Sequence, residues 1–295
     1  MKDHKFSGVG VALVTPFAED LSVDYASLGG LIEHVIKGGV DYLVVLGTTG
    51  ESVTLTEAER AEVLRFCVDK AAGRLPIVYG HGGNCTGSVT DGLERLDLNG
   101  VDAILSVSPY YNKPSQEGIF RHFAQVAEKS PVPVIIYNVP GRTGSNISAD
   151  TTLRLARSFD NIIAIKEASG NLAQAAHIIA GKPEGFAVIS GDDNLTVPMI
   201  AQGGAGTISV AANAFPSTFC AMTHAALHGD YVTARGAFYR LLEATEQLFA
   251  DGNPAGVKAA LAHKGIVKNI LRLPLVPASE ATQTKLASLI DRYDI

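Results

Sequence analysis

Short apolar runs alternate along the chain with longer stretches in which apolar positions recur every three or four residues. Gly8–Phe17 is the first such run, closed by a turn at Pro16. From Asp24 to Gly38 the pattern changes, and Leu28, Leu31, Ile32, Val35 and Ile36 fall on one face of a helix. Gly38 and Gly39 stop it, and Tyr42–Leu46 is apolar throughout. The alternation predicts further strands at Pro76–Tyr79, Ala103–Val107, Val134–Tyr137, Ile162–Lys166, Phe186–Ser190 and Gly206–Val210. Helical stretches fall between them at Thr56–Ala72, Ser88–Leu98, Gln116–Lys129, Asp150–Ser158, Leu172–Ala180 and Leu195–Ala201. Runs apolar on both faces read as strands of a parallel sheet covered on each side.

Strands separated by single helices pair in parallel through right-handed crossovers. The eight strands of this pattern are the number that closes a (β/α)8 barrel. An open, doubly wound sheet competes, but no Gly-x-Gly-x-x-Gly fingerprint follows the first strand. The expected fold class is therefore α/β, a (β/α)8 TIM barrel with a C-terminal helical extension. Pro216–His228 reads as the last barrel helix, and Tyr231–Ala250, Pro254–His263 and Ala281–Tyr293 as helices beyond it. Asn253 is expected to cap the second of these, with Pro254 at its first position. The division is then 1–229 for the barrel and 230–295 for the extension.

Composition narrows the class. With 46% hydrophobic residues the chain can bury a large core, which argues against disorder. A net charge of −6 without a basic run argues against a nucleic-acid surface. The first apolar run is too short to span a membrane and lacks a signal-cleavage pattern. Three widely spread cysteines suit a reducing compartment and offer no disulfide framework. The expectation is a soluble, cytoplasmic enzyme. The eight histidines show no metal-binding spacing, so no metal site is expected. Asp192 and Asp193 read as a helix cap or partners of a nearby base, and Cys85 as a small buried residue. Gly203-Gly204 precede the eighth strand, at the face opposite an active site, which points to an unphosphorylated substrate.

The chemistry gathers where the strands end. Removing an ammonium from water disfavours its charged form, and Lys166 closes a buried strand. A neutral amine beside a pocket is the nucleophile that forms a Schiff base with a carbonyl. On that stretch alone the ordinary reading is a rim lysine paired with Glu167. Its neighbours alter the balance. Gly47-Thr48-Thr49-Gly50-Glu51-Ser52 follows the second strand as a tight loop whose amides can face an anion. Tyr110 and Tyr111 follow the fourth strand, and Tyr137 and Arg142 the fifth. Lysine can carry an imine, tyrosine and threonine can move protons, and arginine can grip a carboxylate in a bidentate fork. Together they point to a Schiff-base lyase.

Gly47-Thr-Thr-Gly-Glu51, Tyr137-Asn-Val-Pro-Gly-Arg142 and Ile165-Lys-Glu-Ala-Ser169 resemble the motifs of the pyruvate-dependent class I aldolases, and within them of the dihydrodipicolinate synthase family. The resemblance covers nearly the whole chain, including Leu271-Arg-Leu-Pro274. It implies condensation of pyruvate with L-aspartate 4-semialdehyde in lysine and diaminopimelate biosynthesis, with no cofactor beyond the covalent imine on Lys166. It implies a proton relay of Tyr137, Thr48 and Tyr111, the last reaching in from a neighbouring subunit of a homo-oligomer, commonly a tetramer of two tight dimers. Thr49 would hold the pyruvate carboxylate, Arg142 that of the aldehyde, and Gly191 and Ile208 would line the pocket. Another lyase of the superfamily, such as a sialate lyase, is the alternative, although Arg142 argues against it. A non-catalytic keto-acid-binding barrel is a second alternative, which the nucleophile argues against. Family members usually carry a second proline after Asn-Pro, where this chain has Asn253-Pro254-Ala255-Gly256. That change is expected to touch packing or assembly more than chemistry. Many relatives are inhibited by lysine at a dimer interface, which here would draw on Ser52, Val53, Glu57, Arg60, Asn84, Ser88 and Tyr110. Sensitive relatives typically place an acid where Ser88 stands, so weak inhibition or none is expected.

Overall fold

The computed structural model describes residues 4–295. Eight parallel strands close into a barrel in sequence order. They are β1 (Gly8–Ala12), β2 (Tyr42–Val45), β3 (Ile77–Gly80), β4 (Ala103–Val107), β5 (Val134–Asn138), β6 (Ile162–Glu167), β7 (Ala187–Ser190) and β8 (Gly206–Ser209). The helices between them are α1 (Tyr25–Lys37), α2 (Glu57–Ala71), α3 (Thr86–Arg95), α4 (Gln116–Lys129), α5 (Pro140–Thr143), α6 (Ala149–Ser158), α7 (Leu172–Gly181) and α8 (Thr196–Ala201). After β8 come α9 (Pro216–Leu227), α10 (Tyr231–Leu248), α11 (Ala255–His263) and α12 (Glu280–Tyr293).

Local chemistry explains many of the helix starts. Thr56 opens α2 with a capping box: its hydroxyl accepts from Glu59 N while the Glu59 carboxylate accepts from Thr56 N. Asp24, Ser115, Ser148, Asn171, Asp230 and Ser279 cap their helices without the reciprocal bond, each side chain accepting from one backbone N–H. Asn253 does not cap α11. Pro254 occupies the cap position without a side-chain bond, and the Asn253 amide is spent elsewhere. Cys85 is exposed rather than buried, because it stands at the turn into α3.

Closure is tight between the first and last strands. A Cβ on Gly206 would lie 2.0 Å from the Gly8 carbonyl oxygen, and the φ of Gly206 is +140°, so glycine is required there. Inside the barrel, alternate residues of each strand point inward. Val44, Val78, Leu105, Ile135, Ala164, Ala187, Ile189 and Ile208 fill the interior. The other faces pack under the helices in two larger clusters. Leu241, Leu248, Val257, Leu261 and Leu286 of the extension belong to one of these, together with Leu31 and Val35 of α1.

One irregularity matters for the site. The β5–β6 register shifts between Val134, paired with Ile162, and Ile135, paired with Ala164. The extra residue, Ile163, shifts the pairing by one, and a one-residue shift exchanges the faces of a strand. Tyr137 therefore pairs with Lys166. Counted on from Ala164, Lys166 shares the inner face.

Candidate active site

Lys166 is buried at the carboxyl end of β6, only 6% exposed. Its Nζ lies 4.4 Å from the centroid of the Tyr137 ring, over the ring face. Glu167 is not its counter-ion. As the next residue along the strand it points outward, where it accepts from Asn138 Nδ2 at 3.0 Å, Ser169 N at 2.7 Å and Gln174 Nε2 at 3.0 Å. Asn138 also donates to Asn146 at 2.8 Å and accepts from Ile147 N at 2.9 Å. This network fixes the rim of β5 and β6 from behind and leaves the lysine amine facing the barrel mouth without a carboxylate among the described residues.

Gly191 follows β7, and its N–H donates to the Glu167 carbonyl at 2.8 Å. A Cβ there would stand 2.9 Å from Lys166 Cε and 2.6 Å from Ala168 Cβ. The absent side chain is the space in which the lysine lies. Ile208, on the inner face of β8 and 1% exposed, is another apolar wall of the interior.

The loop after β2 is two successive 3-10 turns, Thr48–Gly50 and Ser52–Thr54, joined at Glu51. Thr48 is exposed and Thr49 buried. Thr49 Oγ1 accepts from Asn253 Nδ2 at 3.0 Å, across 204 residues of sequence. Glu51 pairs with Lys258 in a setting where both side chains are fully buried. Sequence pattern does not mark Asn253 or Lys258 as site residues, because their contacts are long-range. The one local signal is a lysine in an otherwise apolar helix, α11.

Arg142 is exposed on α5, a four-residue helix that the apolar pattern does not predict, started by Pro140. It has no acidic partner among the described residues. Tyr111 is 90% exposed and holds a left-handed φ of +70°. It does not meet Lys166 within the chain, whereas Tyr137 does. Of the residues at the suggested effector site, Asn84 donates to the Tyr110 carbonyl at 3.3 Å, which joins the loops after β3 and β4. Arg60 reaches the Ser52 carbonyl at 3.4 Å. Ser88 is exposed, and its hydrogen bonds to the Cys85 thiol hold that thiol below its ordinary value.

Asp192 caps its own turn, accepting from Asn194 N at 3.1 Å. Asp193 does something else: buried, it accepts from Val210 N at 3.2 Å and Ala211 N at 2.9 Å, and burial pushes it up to about 6. Among the described residues, no group of three or more His, Cys, Asp or Glu side chains could hold a metal ion. No helix there is long and apolar enough to cross a membrane.

The model of the dihydrodipicolinate synthetase family matches residues 5–293. The chain is 52% identical over 295 residues to a 4-hydroxy-tetrahydrodipicolinate synthase of Parabacteroides distasonis, covering 100% of this chain and 99% of that one. A crystal structure of dihydrodipicolinate synthase from Thermotoga maritima superposes with a TM-score of 0.96 at 36% identity, covering 99% of both chains. The enzyme from Cyanidioschyzon merolae, solved with lysine bound, gives a TM-score of 0.95 at 38% identity, again over 99% of each chain.

Proposed function

The chain belongs to the dihydrodipicolinate synthetase family, and we propose that its barrel mouth condenses pyruvate with L-aspartate 4-semialdehyde through an imine on Lys166. The activity is that of 4-hydroxy-tetrahydrodipicolinate synthase, a lyase of lysine biosynthesis. One observation carries the assignment of the nucleophile: Lys166 is buried beside Tyr137 with no carboxylate partner among the described residues. Its amine attacks the ketone carbon of pyruvate, and loss of water gives the imine. The imine is an electron sink, so a methyl proton can leave and the resulting enamine attacks the aldehyde.

Tyr137, adjacent to the amine, is placed to move protons during imine formation, with Thr48 and a neighbouring subunit's Tyr111 completing the relay. Thr49 and the loop amides hold the pyruvate carboxylate, and Arg142 receives the carboxylate of the second substrate. Gly191 and Ile208 shape the pocket. No cofactor is needed beyond the covalent imine. The amino group of the second substrate can afterwards displace Lys166 and release the product. The exposure of Tyr111 at a left-handed φ supports a subunit contact there, and the proposed assembly is a homo-oligomer, a tetramer of two tight dimers, working in the cytoplasm. Val53, also exposed, lies on the same side of that argument.

Incubation with pyruvate and borohydride tests the assignment. A reduced adduct on Lys166 is expected, and Lys166→Ala should lose it together with turnover. An adduct on another residue, or turnover that survives Lys166→Ala, would overturn the reading.

A further inference from the structure

The loop that carries Thr48 and Thr49 lies between two non-glycine residues in the left-handed region, Leu46 at φ +58° and Glu51 at φ +53°. L side chains enter that region at a cost, so surrounding contacts must hold them there. Thr15 supplies one, donating to the Gly50 carbonyl at 2.6 Å. Others come from the far end of the chain. Lys258 Nζ lies 2.5 Å from Glu51 Oε1, with both side chains 0% exposed. The same ammonium donates to the Ile270 carbonyl at 2.8 Å and sits 4.2 Å from the Phe17 ring centroid. Arg272 N donates to the second Glu51 oxygen at 3.2 Å.

A fully buried ion pair is a poor device for stability alone, since apolar residues of the same volume usually serve as well. Burial draws Lys258 down to about 8 despite the opposing pull of Glu51. What the pair does supply is direction: it ties the residue after the substrate loop to one point of α11. Asn253 adds the second tie. A threonine hydroxyl has one proton and two lone pairs. With Asn253 filling an acceptor site of Thr49, and no donated bond from Thr49 among the described residues, its proton remains free for an incoming anion.

We propose that Asn253 and the Lys258–Glu51 pair are positioning residues for the carboxylate-binding loop, so that the C-terminal extension is part of the device that binds pyruvate. Asn253 commits the Thr49 hydroxyl to donate, and the ion pair fixes the turn behind it. This rests on the reading of Thr49 as a ligand of the pyruvate carboxylate.

Steady-state kinetics on full-length variants test it. Asn253→Ala should raise the pyruvate KM about threefold to tenfold, the equivalent of one hydrogen bond, with the aldehyde KM, kcat and thermal midpoint near wild type. Asn253→Asp should raise it further, because a carboxylate only accepts and would take the Thr49 proton. Lys258→Met should also raise the pyruvate KM and spare that of the aldehyde. Arg240→Ala is the control: Arg240 holds the Tyr293 and Asp294 carbonyls at 2.7 and 3.1 Å, so its loss loosens the extension away from the loop and should leave KM alone. Thr49→Val separates the two ideas. A raised KM in Thr49→Val with an unchanged one in Asn253→Ala would overturn the positioning role and leave the loop's role intact. An unchanged KM in Thr49→Val would remove both. An equal rise in Arg240→Ala would reduce the effect to general loosening and overturn the proposal. Should Lys258→Met fail to fold, the two Asn253 variants decide.

Discussion

Gly191→Ala should slow imine formation sharply without unfolding the barrel. The new Cβ would stand 2.6 Å from Ala168 Cβ, 2.9 Å from Lys166 Cε and 3.1 Å from Lys166 Cγ. Carbon atoms pack at about 3.5–4.0 Å, so about 1 Å of movement is needed to relieve the contact. Gly191 cannot supply it easily, because its N–H is bonded to the Glu167 carbonyl at 2.8 Å. Ala168 cannot either, since its N–H is bonded to the Asn138 carbonyl at 2.8 Å. The flexible Lys166 side chain yields at its own two contacts, while the contact with Ala168 Cβ is relieved only by a strained shift of the rim backbone that carries the lysine. Overpacking of this kind costs about 1–3 kcal/mol of stability, which a domain of this size tolerates. Displacing a reacting group by about 1 Å costs on the order of a hundredfold in rate. Rapid mixing with pyruvate, followed by borohydride quench and mass spectrometry, reads the rate of imine formation directly. The expected result is a fall of about a hundredfold in a protein whose circular dichroism is unchanged. Trapping at the wild-type rate would refute the claim that the missing side chain is the lysine's space.

Three further predictions address the second substrate, acid stability and regulation. Arg142→Ala should weaken use of the aldehyde by about 1.5–3 kcal/mol while pyruvate trapping on Lys166 continues; equal loss of both steps would make the arginine structural. His122 is 3% exposed, and burial lowers it from 6.5 to about 4. The stability it contributes is complete above 6.5 and is lost as pH falls toward 4. Between pH 7 and 5 that amounts to about 2 kcal/mol, a loss that His122→Gln should abolish in paired thermal melts. Lysine should inhibit weakly or not at all, because Ser88 cannot neutralise an ammonium, and strong inhibition at sub-millimolar lysine in an initial-rate assay would show the argument from Ser88 to be wrong.

Much of this architecture is legible in the chain, because barrel strands buried on both faces announce themselves as apolar runs. Gln116–Lys129 and Ala103–Val107 form the elements the pattern predicts, end to end. The unpredicted features are long-range or too short to show a period. Residues 140–143 form one turn, with Pro140 at its start, and four residues carry no helical periodicity. The bulge at Ile163 is invisible in Ile162–Lys166, which reads as an unbroken apolar run, yet it decides that Lys166 pairs with Tyr137. Asn253-Pro254 carries the usual cap signal of a helix start. The amide instead donates to Thr49, a partner no local pattern can reveal, and so ties the start of α11 to the loop after β2.

The same inventory of contacts resolves an apparent conflict between charge and substrate. A chain with a net charge of −6 must bind two anions at one mouth. Its acids near that mouth are each occupied from within. Glu167 accepts three hydrogen bonds behind the rim, and Asp192 caps its own turn. Asp193 is buried under the amides of residues 210 and 211, and its charged form is disfavoured by that burial. Glu51 is matched by Lys258. Arg142, the guanidinium of the mouth, has no carboxylate partner among the described residues. Net charge therefore says little about what the pocket attracts. Local potential depends on which charges remain uncompensated where field lines converge, and Arg142 is one such charge at this rim.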